Sequence, residues 1–582
     1  MTPAIDPRRG DIEDDASSTK RRSMLSLFGS LLAEISLPKL LIAFTLLMVV
    51  PGLVLGVAPI VAAIWLGKLS SNLATALAGF WPAVLLAIVI VVGWFGGRPL
   101  FRLAENSFWS LNSLAIQPAY TIGREALRQL AEGLLPTRAS KARRSRLRAA
   151  AALVSGGVIC AIALVVLIVV WPRSDLLYGM QGVGSLEQLA ILALANSVVL
   201  VAAYLAVAAL VWGIADASMA QPRDLDRFDE RPDGGRAWRI AHLSDVHVVG
   251  ERYGFRLESG RSGPRGNERL RRLLTELDAL HAREPLDAVV VSGDMTDAGR
   301  STEWAEFMDA VMRHPRLAER MLIIPGNHDL NIVDRANPAR FDLPMSPNKR
   351  LRKLRVLAAM AVLQGERVRV VDRARRRLGE SLAATLAPHL REVAAFADAG
   401  RPRVSRSLTE LWTRVFPMVL PPETDDGLGI ILLDSNADTH FSFTNALGMI
   451  SADQARALDI ACAQYPRACW VVVLHHHVVE YPRPAKTLSV RVGTALVNGN
   501  WFVRRLKPLA GRAVLLHGHR HIDWIGECGG LPILSAPSPV MEATDDMTTC
   551  FYIHTLAVGA DRRLKLLQPQ CITVAGEPTV QS

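Results

Sequence analysis

AVLLHGHRH, residues 513–521, sets three histidines on alternate positions directly behind four apolar residues. The whole chain has 14 histidines in 582 residues, so three within five positions need a reason. The apolar run suits a buried strand, and period-two spacing sends His517, His519 and His521 to one face of an extended chain. Two readings fit: a solvated strand end that happens to be rich in histidine, or a metal site. The rest of the chain separates them.

Four other short runs rich in Val, Ile and Leu also end in metal-binding residue types. RIAHLSDVH (239–247) delivers Asp245 and His247, and LDAVVVSGDMTD (286–297) delivers Asp294 and Asp297. MLIIPGNHD (321–329) delivers Asn327, His328 and Asp329, and CWVVVLHHH (469–477) delivers His475, His476 and His477. Strands alternating with helical stretches predict an α/β domain, in which sites gather at the carboxyl ends of strands. Each cluster alone has an ordinary explanation: Asp-x-His is common in loops, and Gly-Asp usually marks a turn. Five in series, each behind a strand, favour the metal site. Imidazole, carboxylate and amide oxygen without thiolate suit Zn, Mn or Fe(II).

In this order the motifs D-x-H, G-D-x-x-D, G-N-H-D, H and G-H-x-H resemble the calcineurin-like metallophosphoesterases. LLDSN (432–436) and GMISADQARALD (448–459) resemble the phosphodiesterase-like branch of that family. The resemblance covers residues 238–570 and implies a four-layer αββα double β-sandwich with two divalent metal ions. It implies that Asp245, His247 and His521 hold the first ion, that Asn327, His475 and His519 hold the second, and that Asp294 bridges them. His328 would face the substrate phosphate and serve as the catalytic acid, with Asp329 or Asp297 orienting it or acting only in turns. His517 would lie behind the ligands. The family often has a proline just after the histidine pair, and here Pro482 comes five residues after His477, so His475 and His476 compete for one ligand position.

Residues 330–427 are longer than a compact domain needs. From Lys349 to Arg414 this insert carries sixteen Lys and Arg against six acids, a net +10 in a chain of +11. Leu351, Leu354, Ala358 and Val362 recur at helical spacing, so a helical basic insert is expected over about 345–420. It reads either as a solvated cap or as a face for anionic lipid or a polyanionic substrate. Nucleic acid is a poor partner, because no aromatic-interleaved basic motif is present.

The first 215 residues have a different texture. Half of the chain is hydrophobic, and the mean hydropathy is positive despite 21% charged residues. Four runs, Leu40–Leu66, Ala74–Gly97, Ala149–Trp171 and Leu189–Ile214, reach the roughly 20 residues that cross a bilayer as a helix. Trp65, Trp81, Trp94, Trp171 and Trp212 lie near run ends, as interfacial tryptophans do. A four-helix transmembrane region over 40–215 is therefore expected, with a leader at 1–39, a linker at 216–237 and a tail at 571–582. The leader has six Lys and Arg and the loop 98–148 has ten, whereas the other two loops have one each, Lys68 and Arg173. The positive-inside rule puts the N-terminus, that loop and the catalytic domain in the cytoplasm of a multi-pass cell-membrane protein. Six cysteines, with no CxxC pair, predict reduced thiols.

The expected function is metal-dependent hydrolysis of a phosphodiester or pyrophosphate bond in a phosphate-ester substrate, lipid-linked substrates included. A phospholigand-binding sensor coupled to the membrane region is the alternative. Transport fits less well, because the cores of the runs hold no charged residue.

Overall fold

The computed structural model describes residues 37–76, 80–112, 116–134, 140–176, 184–232, 236–250, 267–333, 340–342, 346–399, 405–482, 494, 496–540 and 548–574. The leader up to residue 36 and the end of the tail, 575–582, lie outside them. The chain divides into two compact units, one over Ser36–Met219 and one containing Ala220–Ser582.

Among the described residues of the first unit, three helices are long and apolar enough to cross a membrane: Leu41–Gly67, Arg143–Arg173 and Leu186–Ala217. The run 74–97 crosses residues 77–79, outside the described residues, into the helix Phe80–Leu111. Ahead of Pro51 the first helix loosens into a π-helical stretch, Thr45–Val49, where the missing proline N–H leaves a gap in the ladder. A Cβ on Gly56 would sit 1.6 Å from the Ala193 carbonyl oxygen, so glycine lets these two helices meet backbone to backbone.

Among the described residues of the loop 98–148, Arg124, Arg128 and Arg148 are internally paired. Arg124 Nη1 donates to Asp216 Oδ2 at 2.6 Å, where Tyr120 also donates at 3.0 Å. Arg128 and Arg124 share Glu125, and Arg148 pairs with Glu132 at 2.6 Å. Asp216 occupies the last turn of Leu186–Ala217, so this network ties the loop to the end of the last apolar helix.

Two mixed sheets build the second unit. Among the described residues, the larger runs in the spatial order Arg223–Asp224, Trp524–Cys528, Leu531–Ser535, Ala513–His517, Cys469–Val473, Leu428–Leu432, Met418–Leu420, Arg369–Asp372 and Arg377–Ser381. The smaller runs Leu564–Leu566, Thr549–Val558, Ala237–Leu243, Ala288–Val291 and Met321–Ile323, with Gln570–Val574 paired to Thr549–Val558. The five motif-bearing strands are parallel to their motif-bearing neighbours: Leu243 pairs with Val291, Val291 with Ile323, and Leu516 with Val473. That shared direction sends every motif to the same end of its sheet.

Both sheets contribute to one apolar cluster that includes Val290, Ile323, Val471 and Leu516, all essentially buried. Burying each such side chain stabilises the unit by about 1.5–3 kcal/mol. Helix Glu268–Arg283 covers this core with Leu270, Leu273, Leu274 and Leu277, the one-sided spacing of an amphipathic helix.

The insert holds the helices Pro347–Gln364, Leu382–Leu386, Leu390–Ala399 and Ser405–Val415, but it is not helical throughout. Three of its segments, Arg369–Asp372, Arg377–Ser381 and Met418–Leu420, are strands that extend the larger sheet. Its first helix, Pro347–Gln364, is buried on most sides, through Leu354, Val356, Leu357, Ala359, Met360 and Leu363, while Val362 is exposed. Spacing of four apolar residues located the helix but understated its burial, because the helix packs between strand and helix neighbours rather than on a surface. Two boundaries also shift. Arg223–Asp224, inside the expected linker, pairs with Gly526 and Glu527, and Cys571–Val574, inside the expected tail, belongs to a strand.

Candidate metal centre

The carboxyl ends of the motif strands turn sharply. Among the described residues, seven non-glycine residues have positive φ, and five of them are Asp245 (56°), His247 (43°), Asp294 (52°), His519 (75°) and His521 (50°). Left-handed backbone is costly for residues with a Cβ and persists where the surroundings enforce it. Its concentration on five of the seven expected ligands marks the centre without reference to side chains.

Two glycines allow the turns to close on each other. A Cβ on Gly293 (φ +112°) would lie 2.3 Å from His475 Nδ1, and one on Gly326 would lie 2.1 Å from Asp294 Oδ1. The glycines of the Gly-Asp and Gly-Asn-His-Asp motifs are thus required by close approach across strands.

Among the described residues, three groups of side chains come together: Asp245 with His247 and His521, Asp294 with His475 and His519, and His247 with Asp297 and His328. In the second group the hydrogen bonds fix which ring nitrogens carry protons. His475 Nδ1 faces the Ser292 carbonyl oxygen at 2.8 Å, and His519 Nε2 faces that of Thr494 at 3.2 Å. A carbonyl only accepts, so both of these nitrogens donate. In the neutral rings the lone pairs therefore sit on the opposite nitrogens, His475 Nε2 and His519 Nδ1, which face each other across 3.2 Å. Asn327 Oδ1 lies 3.2 Å from His475 Nε2 and Asp294 Oδ2 lies 3.3 Å from it. Four acceptors converge there, an arrangement that suits a cation, with both imidazoles already braced from behind.

The first group is built alike. His247 Nε2 and His521 Nε2 face each other at 3.3 Å, and Asp245 Oδ1 lies 3.2 Å from His521 Nε2. Asp294 Oδ2 reaches both groups, at 3.3 Å from His475 and 3.7 Å from His247 Nε2. The donor set of nitrogen and oxygen atoms therefore fits two divalent ions.

Electrostatics agree with that arrangement. Burial disfavours charge on His475, but the Asp294 and Asp245 carboxylates override it and raise its pKa to about 9. Burial likewise disfavours charge on Asp245, yet the neighbouring His521 holds its carboxyl well below the usual range. A site without ions thus attracts protons where cations would bind.

The remaining motif residues sort cleanly. His328 Nδ1 lies 2.7 Å from the Asp297 carbonyl oxygen, which fixes Nδ1 as the donor and leaves Nε2 for exchange. Asp329 is structural: it accepts from Thr296 N, Thr296 Oγ1 and Gly326 N at 2.9, 2.6 and 2.9 Å, tying two motif loops together. Burial, followed by Asp294, pushes its pKa up to about 7. Of the competing pair, His475 enters the cluster, while His476 Nδ1 turns to Ser435 Oγ at 2.9 Å. His517 is fully buried and stacks on Tyr481 behind the ligands.

Sequence reading missed the residues that brace the ligands. Ser292 and Thr494 act through backbone carbonyls, which no residue type announces. Arg520 was detectable, since it sits between two expected ligands; it pairs with Glu480 at 3.2 Å and lies over the Tyr481 ring.

Residues 239–374 match the family described as Calcineurin-like phosphoesterase. A curated relative, the glycerophosphodiester phosphodiesterase GpdQ of Enterobacter lignolyticus, is 33% identical over 114 residues, which are 19% of this chain and 34% of the relative. The chain thus spans about a third of that relative's length. Among solved structures, a dimetal phosphatase from Danio rerio aligns at 13% identity with a TM-score of 0.32, covering 58% of this chain and 99% of that one. The NAD nucleotidase of Haemophilus influenzae aligns at 12% identity with a TM-score of 0.29, covering 59% and 51%.

Proposed function

We propose that this calcineurin-like phosphoesterase is a membrane-anchored dimetal hydrolase acting on a phosphodiester or pyrophosphate bond. In that reading four spans, one of them over 74–97, hold the chain in the cell membrane with its catalytic unit in the cytoplasm, and the two sheets form the four-layer αββα sandwich. The observation that carries the chemistry is the convergence of His475 Nε2, His519 Nδ1, Asn327 Oδ1 and Asp294 Oδ2.

Asp245, His247 and His521 would hold one ion, Asn327, His475 and His519 the other, and Asp294 both. When bound, two such ions supply Lewis-acid polarisation of a phosphate and a water acidified towards neutral pH. The protein's own contribution is orientation and proton handling. Ser292 and Thr494 fix the ligand tautomers, and Asp297 stands 3.6 Å from His247 Nδ1 as a backing carboxylate. His328, held by its Nδ1, presents Nε2 and gives a proton there to the departing alkoxide.

A lipid-linked substrate belongs to this reading because the apolar helices keep the enzyme at a bilayer. The test is hydrolysis by the full-length protein, with added Mn or Zn, of matched diester, pyrophosphate and monoester substrates in lipid-linked and water-soluble forms. Diester or pyrophosphate turnover well above monoester turnover is expected. Preference for monoesters refutes the bond assignment, and turnover only of soluble substrates refutes the lipid assignment.

A further inference from the structure

The insert helix Pro347–Gln364 carries cations at 349, 352 and 355, three residues apart and hence along one side. A solvated or lipid-facing helix would leave them in water. Instead their relative exposures are 7%, 3% and 4%. Buried cations are costly unless paired, and two of these, Arg352 and Arg355, meet loops that carry motif residues of the candidate centre. Lys349 Nζ reaches Asp438 Oδ1 and the Thr439 carbonyl, each at 2.5 Å. Arg352 Nε donates to the Leu330 carbonyl at 2.9 Å, and its Nη2 pairs with Asp342. Arg355 Nη1 donates to the Gly299 carbonyl at 2.9 Å.

The anchor points are close to the chemistry along the chain. Gly299 lies two residues beyond Asp297, and Leu330 lies two beyond His328. These two loops meet tightly at the helix: a Cβ on Gly299 (φ +69°) would lie 2.5 Å from the Asp329 carbonyl oxygen and 3.0 Å from Arg352 Cδ. The bond that orients His328 runs between the same loops, from its Nδ1 to the Asp297 carbonyl. Asp329 fastens them on one side through Thr296 and Gly326, and the two arginines fasten their outgoing ends.

We propose that Arg352 and Arg355 are positioning residues, which lock the Asp294–Gly299 and Asn327–Leu330 loops together so that His328 keeps its orientation. These two cations of the basic insert are then an internal clamp on the centre. This assignment rests on the proton-donor role of His328. Neither arginine sits in a metal group, so their loss should spare metal binding while disturbing proton delivery.

The experiment uses the full-length protein and its Arg352→Met, Arg355→Met and Arg355→Lys variants. In Arg352→Met, metal content should match the wild type, and kcat on a diester with a poor leaving group should fall about 10–100-fold with little change in KM. A good leaving group should lose far less, and adding Arg352→Met to His328→Ala should cost nothing further. Arg355→Met should show the same pattern more weakly, with Arg355→Lys restoring most of the rate; this pair decides the matter if Arg352→Met does not fold. A loss independent of leaving group, or one that adds to that of His328→Ala, would mean a merely structural role and overturns the proposal. Hydrogen–deuterium exchange supplies a readout apart from activity. Amides of 294–300 and 327–331 should exchange about tenfold faster in the Met variants, while those of 469–473 stay unchanged. Unchanged exchange in both loops overturns the clamp even if a substrate is found. Faster exchange in a protein that hydrolyses nothing would leave the clamp standing and refute the enzymatic reading instead.

Discussion

The backbone amide of His328 donates to Asp294 Oδ1 at 2.8 Å, so the carboxylate proposed to bridge two ions also holds the peptide of the proposed acid. In the proposed mechanism metal binding and proton delivery are therefore fastened at one residue, yet mutation should separate them. His328→Ala retains that amide and should keep its metals, while hydrolysis of substrates with poor leaving groups falls by about 10²–10⁴-fold. Parallel metal analysis and kinetics check this. An undiminished rate with alkoxide leaving groups removes His328 from the mechanism.

Metal affinity should rise with pH. His475 without metal has its pKa raised to about 9, so at neutral pH it carries a proton that must leave before its lone pair can coordinate. Below about pH 9, metal and proton compete; above it the competition ends and the affinity levels off. Metal titrations in weakly buffered solution should release protons at pH 7.5 and fewer near pH 10. Uptake at pH 7.5 without proton release contradicts this protonation state.

Much of the centre was legible in the sequence because its ligands follow apolar strands directly. A buried parallel strand reads as an unbroken Val/Ile/Leu run, and the polar residue after it has one place to go. The choice of His475 over His476 follows the same logic, since Val473 ends the strand and His475 is the first histidine beyond it. The burial of three of the insert's cations was not legible, because charge alone does not reveal burial. Arg352 and Arg355 look like surface residues until Leu330, Asp342 and Gly299, scattered in sequence, supply partners. The backing carbonyls of Ser292 and Thr494 were invisible for the same reason: any residue type carries one.

Loop charge fixes the expected topology. In a background without the six native cysteines, Ser70→Cys and Gln181→Cys should react with membrane-impermeant reagent added outside intact cells, and Arg144→Cys should not. Labelling at 144 alone would invert the orientation and move the catalytic unit out of the cytoplasm.

If anionic lipid meets the insert, the exposed hairpin Arg375, Arg376 and Arg377 offers it one continuous run of three cations. Arg373 is committed elsewhere, donating to the Thr413 and Phe416 carbonyls at 3.1 and 2.7 Å. Each cation near an anionic surface contributes about 1 kcal/mol, screened beyond about 8–10 Å. Replacing the three by Glu should lower turnover of a lipid-linked substrate in anionic nanodiscs at low salt and spare a small soluble diester. Equal turnover of the lipid-linked substrate by both proteins would remove this hairpin from lipid recognition.

The shared carboxylate offers the most direct measurement: bound ions per chain and turnover, followed together as metal is added to the full-length protein and to Asp294→Asn. The wild type should bind two divalent ions and hydrolyse its phosphodiester only as occupancy approaches two. Asp294→Asn should fall short of two and stay inactive. Full activity with one ion, or two ions held at full occupancy by Asp294→Asn, would contradict a dimetal centre bridged by Asp294.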